Sequence, residues 1–272
     1  MIDPARADQL ERLLRKHRIT LKHRLGQNFL IDPSLRDAIA DAGAGNEVLE
    51  VGAGVGTLTI ALASRSRRVV AVEFDRDLIP ALREVVGGLE NVDVVQADIL
   101  HYDATAEIVT GNIPYGLTGA LIPKLFDRPS RPKRVALVVQ KEVAERWTAT
   151  TTASLGTVAV QVFAVPRIGM TIPAPAFTPP PKVDSALVVM QVREQPLVNV
   201  PDMDRFFRFV EAAFQFRRKQ LGGTVARIAG ISSADASMRL REIGIEAAAR
   251  PQTLTIPQWE AAFRAFIPLH DR

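Results

Sequence analysis

Between residues 46 and 149 the chain repeats one rhythm. A short, unbroken apolar run is followed by a longer stretch whose apolar residues recur three and four apart. The apolar runs lie in "NEVLEVGAG" (46–54), "RRVVAVEFD" (67–75), "VDVVQAD" (92–98), "EIVTGNIPY" (107–115) and "KRVALVVQ" (133–140). The helical spacing lies in 56–66, 76–88, 117–127 and 141–149. Strands that are apolar throughout, alternating with helices, predict a parallel sheet covered on both faces. Two further helices are expected upstream, over 8–18 and 32–44. In the second, Asp32 can cap, Pro33 suits the first turn and Gly43 suits the stop.

The rhythm changes after residue 155. "GTVAVQVFAVPRIGMTI" (156–172) and "DSALVVMQVRE" (184–194) both read as extended, an antiparallel pair at the sheet edge around the proline-rich "PAPAFTPPPK". Beyond about residue 195 the period is helical, in 202–228, 233–244 and 255–266. The boundary is placed in "EQPLVNVPD", giving an α/β domain over 1–195 and a small helical domain over 196–272.

Bulk properties narrow the classes. The chain has 272 residues, 47% hydrophobic and 24% charged, which suits a soluble globular protein with a substantial core. It has no cysteine, which excludes disulfides, thiolate metal sites and a cysteine nucleophile. The four histidines are scattered without ligand spacing, so no metal is expected. The N-terminus lacks an apolar signal core, and no apolar run reaches membrane-spanning length, so a cytoplasmic location is expected. The net charge of +4 is mild. It is concentrated, however, in "LLRKHRITLKHR" and "FQFRRKQ", clusters that suit either phosphate contact or a solvated face.

The candidate chemistry sits at the ends of the expected strands. Gly52, Gly54 and Gly56 follow the first alternating strand and precede a helix, where glycine allows a tight turn and close approach to a ligand. The spacing is G-x-G-x-G, with Glu50 before it. A dinucleotide site places its third glycine one residue further on, against the pyrophosphate. Glu73 lies 21 residues beyond Gly52, where a carboxylate can accept both ribose hydroxyls. Asp98, after the next strand, can accept from an adenine amino group. Each acid alone could equally cap the following helix. Together with the loop they favour a nucleoside-type cofactor such as S-adenosylmethionine.

"GNIPY" (111–115) closes a further strand at the same rim. The exocyclic N6 of adenine is a poor nucleophile because its lone pair is delocalised into the ring. Acceptors at the Asn112 side chain and the Ile113 carbonyl would favour a pyramidal nitrogen, and Tyr115 would stack on the ring. That is catalysis by positioning on a base turned out of its stack. A plain proline turn with a half-buried tyrosine is the competing reading.

Taken together, "LGQNFLID" (25–32), "LEVGAGVG" (49–56), "VEFD" (72–75), "QADIL" (96–100), "GNIPY", "VQKEVAERW" (139–147), "FTPPPKVDSALV" (177–188) and "FQFRRKQL" (214–221) resemble the ribosomal RNA adenine N6,N6-dimethyltransferase family of KsgA type. The likeness runs over nearly the whole chain. It implies a Rossmann-like S-adenosylmethionine-dependent methyltransferase domain with a helical C-terminal domain. It also implies cofactor contacts from Gln27, Asn28, Leu30, Gly52, Gly54, Gly56, Glu73, Asp98 and Asn112. Phe177 would lie near the target base, or pack the proline loop.

The implied substrate is a pair of adjacent adenines in a hairpin near the 3′ end of small-subunit rRNA, within an immature small subunit; a monomer is expected, apart from the resemblance. Lys22, His23 and Arg24, with Arg217, Arg218 and Lys219 on a helix, would meet rRNA phosphates. There are two departures from the family pattern, of which the second bears on target choice. Gly116 stands where the family commonly has asparagine, and "TATTTASLGTVAV" lacks the usual lysine and tyrosine. Erm-type large-subunit rRNA methyltransferases and a non-catalytic rRNA-binding assembly factor are the rival readings. A dinucleotide oxidoreductase is more distant.

Overall fold

The structure, a computed structural model, describes residues 2–22, 25–103, 105–126 and 130–267. The chain divides into two compact units, Met1–Glu145 with Val165–Val192, and Arg146–Ala164 with Arg193–Arg272. The segment 146–164, which the sequence pattern assigns to the first domain, therefore groups with the second.

The first unit is built on a seven-stranded sheet. Its strands are β2 (Glu47–Val51), β3 (Arg68–Glu73), β4 (Val92–Gln96), β5 (Ile108–Asn112), β6 (Arg134–Gln140), β7 (Ala164–Ile172) and β9 (Ser185–Val192), in the order β4-β3-β2-β5-β6-β9-β7. The first five in that order pair in parallel, and β9 runs antiparallel to β6, from Arg134↔Gln191 to Gln140↔Ser185. β7 and β9 are neighbours at the edge, as the pattern predicts. A small second sheet pairs β1 (Phe29–Leu30) with β8 (Phe177–Thr178). The connections run from β2 outward to β4 and then return to the other side of β2. The chain therefore switches direction between β2 and β5, and such a switch leaves a crevice at the carboxyl ends of those strands.

Apolar clusters lie on the helices α1 (Ala7–Lys16), α2 (Pro33–Gly43), α3 (Thr57–Ala63) and α4 (Ile79–Val86). Ile39, Leu58 and Leu62 pack with Val48, Val138 and Val189, while Leu10 and Leu13 pack with Ala71, Leu82 and Val86. Two helices, α5 (Thr118–Phe126) and α6 (Lys141–Thr148), follow β5 and β6. Asp32 caps α2 as expected, accepting from the Ser34 and Leu35 amides, with Pro33 in the first turn. This fold is Rossmann-like.

The second unit is helical: α7 (Leu155–Phe163), α8 (Met203–Phe214), α9 (Leu221–Ala229), α10 (Ser233–Glu242) and α11 (Ile256–Phe266). Its core is aromatic, with Phe206 and Phe209 edge-on to Phe263 and Phe209 edge-on to Trp259. The buried Trp259 indole donates to Thr152 Oγ1 at 2.7 Å, and that hydroxyl donates to the Leu254 carbonyl.

Two expectations are corrected here. Residues 155–163 are a helix and not a strand. The alternating Val158, Val160 and Val162 imitate a strand period, but Thr157, Ala159 and Phe163 are buried too. A helix buried on all sides carries no amphipathic signature. Its start is set by Ser154, whose side chain accepts from the Thr157 amide. The expected helix over 202–228 is also broken. α8 ends at Phe214 and α9 begins at Leu221, so Arg217, Arg218 and Lys219 sit in the intervening turn and not on a helix.

Candidate functional site

A cavity of about 490 Å³ opens at the carboxyl ends of β2, β3 and β5, the size of a small-molecule or cofactor site. The glycine loop after β2 forms its floor. Gly54 adopts φ +61, and a Cβ there would stand 3.2 Å from the Phe29 ring. Its amide donates to Glu73 Oε2 at 2.8 Å, and the Asp75 amide donates to Glu73 Oε1 at 2.7 Å. Glu73 thus binds the loop to the rim of β3 while facing the cavity. Burial pushes its carboxyl above the usual range, against the opposing backbone donors.

Glu50, in β2, is 1% exposed and also lines the cavity. Burial raises its pKa to about 8, against a lowering by the Thr59 hydroxyl and with a smaller contribution from the charge of Glu73. Its Oε2, and the Thr57 hydroxyl beside the cavity, have no hydrogen-bond partner. Asp98 lies two residues beyond β4, lines the cavity and is partly exposed. Its Oδ1 accepts from the Leu100 amide at 2.9 Å, and its Oδ2 lies 3.2 Å from His101 Nδ1.

Three carboxyl groups therefore surround a cavity whose described lining contains no lysine, arginine or histidine. Such a site disfavours a pyrophosphate and favours a ligand that carries positive charge. Unpartnered acceptors such as Glu50 Oε2 are the groups a cationic ligand would satisfy. These residues fit a nucleoside that bears a sulfonium and an ammonium.

At the other side, Asn112 ends β5. Its Nδ2 donates to the Asn28 carbonyl at 2.9 Å. That bond fixes the amide's orientation and leaves Oδ1 as its acceptor atom. Ile113 is 2% exposed and, unlike Asn112, Pro114 and Tyr115, is not among the residues that line the cavity. Tyr115 is half-buried and lines the cavity, in a short 3₁₀ turn, and its hydroxyl lies 2.7 Å from Ser185 Oγ. Burial raises the Tyr115 hydroxyl's pKa, opposed by that hydrogen bond.

Of the expected cofactor residues, Gln27, Asn28, Leu30, Gly52, Gly54, Glu73, Asp98 and Asn112 all line this one cavity. Gly56 does not. It caps α3 at φ +91, and a Cβ there would stand 3.1 Å from both Leu82 and Val85, so its role is packing. Phe177 does not line the cavity either. It is 2% exposed in the apolar cluster with Leu30 and Ile39, which is the packing alternative. Lys22 is committed elsewhere: its Nζ lies 2.5 Å from Asp75 Oδ1 and 2.6 Å from Asp77 Oδ2. Arg24, with His23, lies outside the described residues. Arg217, Arg218 and Lys219 are exposed, with no ion pair among the described residues. Sequence reasoning missed Thr57 and Phe74 in the cavity lining, and Ser185 behind Tyr115. The last had a signal in "PPKVDSA", but only pairing in three dimensions connects residues 70 positions apart.

Among the described residues, no group of three His, Cys, Asp or Glu side chains is placed to hold a metal, and no helix is long and apolar enough to cross a membrane.

Comparison with known proteins adds a family. Residues 18–264 match the family described as Ribosomal RNA adenine dimethylase. The chain is 37% identical to Ribosomal RNA small subunit methyltransferase A of Pelotomaculum thermopropionicum, over 98% of each chain. It is 38% identical to the protein of the same name from Magnetococcus marinus, over 92% of this chain and 94% of that one. Among solved structures it is similar to the 23S rRNA methyltransferase ErmE, at 29% identity and a TM-score of 0.69, over 88% of this chain and 99% of that one. A dimethyladenosine transferase from Plasmodium falciparum, at 23% identity and a TM-score of 0.73 over 86% and 96% of the two chains, shares the fold.

Proposed function

Because the chain belongs to the ribosomal RNA adenine dimethylase family, we propose that it methylates N6 of two adjacent adenosines, twice each, in a hairpin near the 3′ end of small-subunit rRNA. S-adenosylmethionine is the donor, and an immature small subunit is the substrate of a monomeric enzyme. The observation that carries this reading is an acid-lined cavity that brings the glycine loop, Glu73, Asp98, Asn112 and Tyr115 together.

When bound, S-adenosylmethionine supplies an electrophilic methyl group on a cationic sulfur. Glu73 accepts the ribose hydroxyls, and Asp98 accepts from the adenine amino group. Glu50, buried and with an unpartnered oxygen, answers the ligand's positive charge. On the RNA side, Asn112 Oδ1 and the Ile113 carbonyl accept the two hydrogens of the target N6, directing its lone pair away from the ring. Tyr115, steadied by Ser185, stacks on the extruded base. The contribution is orientation, and it works only on a base already out of its helix. Arg217, Arg218 and Lys219 meet rRNA phosphates in a salt-dependent manner. Lys22 is left out of that role because its charge is already paired with Asp75 and Asp77.

The high identity to small-subunit methyltransferases over nearly full length supports the small subunit over the large-subunit alternative. The test is to incubate isolated small and large subunits with the protein and S-adenosylmethionine, and to map dimethyladenosine in each rRNA by mass spectrometry. Adjacent dimethyladenosines in the small subunit alone are expected. Modification of the large subunit alone would establish the Erm-type reading. Cofactor binding without modification of either would leave an assembly factor.

A further inference from the structure

Asp75 is a buried carboxylate that the proposed chemistry does not use. Its side chain is 4% exposed, yet it does not line the cavity. Both of its oxygens are engaged. Oδ1 takes Lys22 Nζ at 2.5 Å and the Asp77 amide at 3.1 Å, and Oδ2 takes Gln27 Nε2 at 2.8 Å. The ring closes through Gln27 Oε1, which accepts the Lys22 amide at 2.8 Å. Lys22 also reaches Asp77.

On each side of this ring the next residues belong to the cavity. Glu73 and Phe74 precede Asp75, while Asn28 and Leu30 follow Gln27. The far end of that second segment is tied separately, by the Asn112 bond to the Asn28 carbonyl and by the pairing of Phe29 and Leu30 with β8. The ring is therefore a polar tie between this segment and the rim of β3, beside the apolar packing of Phe29 with Ala71 and Leu78.

We infer that Lys22, Gln27 and Asp75 form a latch of positioning residues that holds the cofactor-lining residues Asn28 and Leu30 against the side of the cavity that carries Glu73. This rests on the reading of the cavity as a S-adenosylmethionine site. Gln27 thereby moves from ligand to support, and Lys22 from phosphate contact to counter-ion. The polarity of the latch is fixed. Gln27 Oε1 is held by an amide donor, so its Nε2 must face Asp75, and Asp75 must be an acceptor there. A glutamate at 27 would face a buried carboxylate, and an asparagine at 75 would set donor against donor. Making both changes restores a donor–acceptor pair and keeps one negative charge beside Lys22.

The experiment measures S-adenosylmethionine binding to the full chain by calorimetry, with thermal melts of the ligand-free protein and steady-state kinetics on small subunits. Gln27→Glu and Asp75→Asn are each expected to weaken binding about tenfold, and the double variant to recover to within about threefold of wild type. Lys22→Met is expected to raise the KM for the cofactor while kcat at saturating cofactor holds. Lys22 and Gln27 are partly exposed, so those variants carry the test if the buried Asp75 variant fails to fold. Singles that lower the melting temperature without moving cofactor affinity would overturn the latch, as would a double variant no better than the sum of its parts. A Lys22→Met effect confined to the KM for the subunit would also overturn it, returning Lys22 to phosphate contact. Wild-type protein that does not bind S-adenosylmethionine at all would instead overturn the cofactor reading beneath it.

Discussion

At the rim of the cavity Lys22 meets two carboxylates within 2.6 Å, whereas the turn between α8 and α9 presents Arg217, Arg218 and Lys219 to solvent with no ion pair among the described residues. Both are cations in a basic stretch. One has been drawn into the protein's own electrostatics, neutralising a buried aspartate: burial pushes the Asp75 carboxyl up, but Lys22, the Asp77 backbone amide and Gln27 together hold it below the usual range. The others keep a field that a polyanion can use. The lesson extends to the acids. Glu73 and Asp98 are bonded to backbone amides, whereas Glu50 is buried with one oxygen unpartnered. A group's neighbours, more than its type, set what it can do.

The comparison can be broken at several points. The largest effect is expected at Asn112. Asn112→Ala should lower kcat by roughly 100- to 1,000-fold, the scale for removing one oriented hydrogen-bonding group from a reacting centre, with the melting temperature little changed. Single-turnover assays on small subunits check this, and near-normal turnover would remove the N6-gripping role.

Next is Glu73→Ala, expected to weaken S-adenosylmethionine binding about 100-fold through loss of two charge-assisted hydrogen bonds. Unchanged affinity by calorimetry would contradict the ribose assignment. Smaller again is the double change Arg217→Ala with Arg218→Ala. It should weaken subunit binding about tenfold and make the log–log salt dependence shallower by about 2, while Lys22→Ala leaves that slope alone. A slope that moves with Lys22 and not with the turn would reverse the comparison.

The last test concerns pH. Glu50 has a folded pKa of about 8 against 4.5 for the unfolded group, so the folded state holds the extra proton between those values. Stability of the ligand-free protein should therefore fall as pH rises from 4.5 to 8, and Glu50→Gln should flatten that part of the profile. Cofactor affinity should rise over the same window, with proton uptake by buffer on binding. A melting profile identical in wild type and Glu50→Gln would show that Glu50 ionises normally.

Much of the site was legible because its residues fall at strand ends. Once 46–54, 67–75, 92–98 and 107–115 are read as parallel strands, Gly52, Glu73, Asp98 and Asn112 must gather at one rim, and all of them line the cavity. The exceptions have local causes. Gly56 keeps the motif's glycine but spends its missing side chain on Leu82 and Val85. Phe177 follows a proline turn that pairs it into β8 beside Leu30, inside the core. In the second unit, valine-rich α7 is buried on all sides and loses the periodicity that would reveal it.

By itself the sequence determined the alternation of strands and helices between residues 46 and 149, the loop chemistry at the strand ends, the caps of helices such as α2, and the family. These depend on nearest neighbours along the chain and on repeated spacing. Only the tertiary structure decided that Lys22 is committed to Asp75 and Asp77, that Ser185 steadies Tyr115, that Glu50 is left with an unpartnered oxygen, and that Gln27 and Asp75 are joined. Those facts depend on distances between residues tens of positions apart, and on burial that turns a charge from solvated to costly. Spacing along the chain records neither.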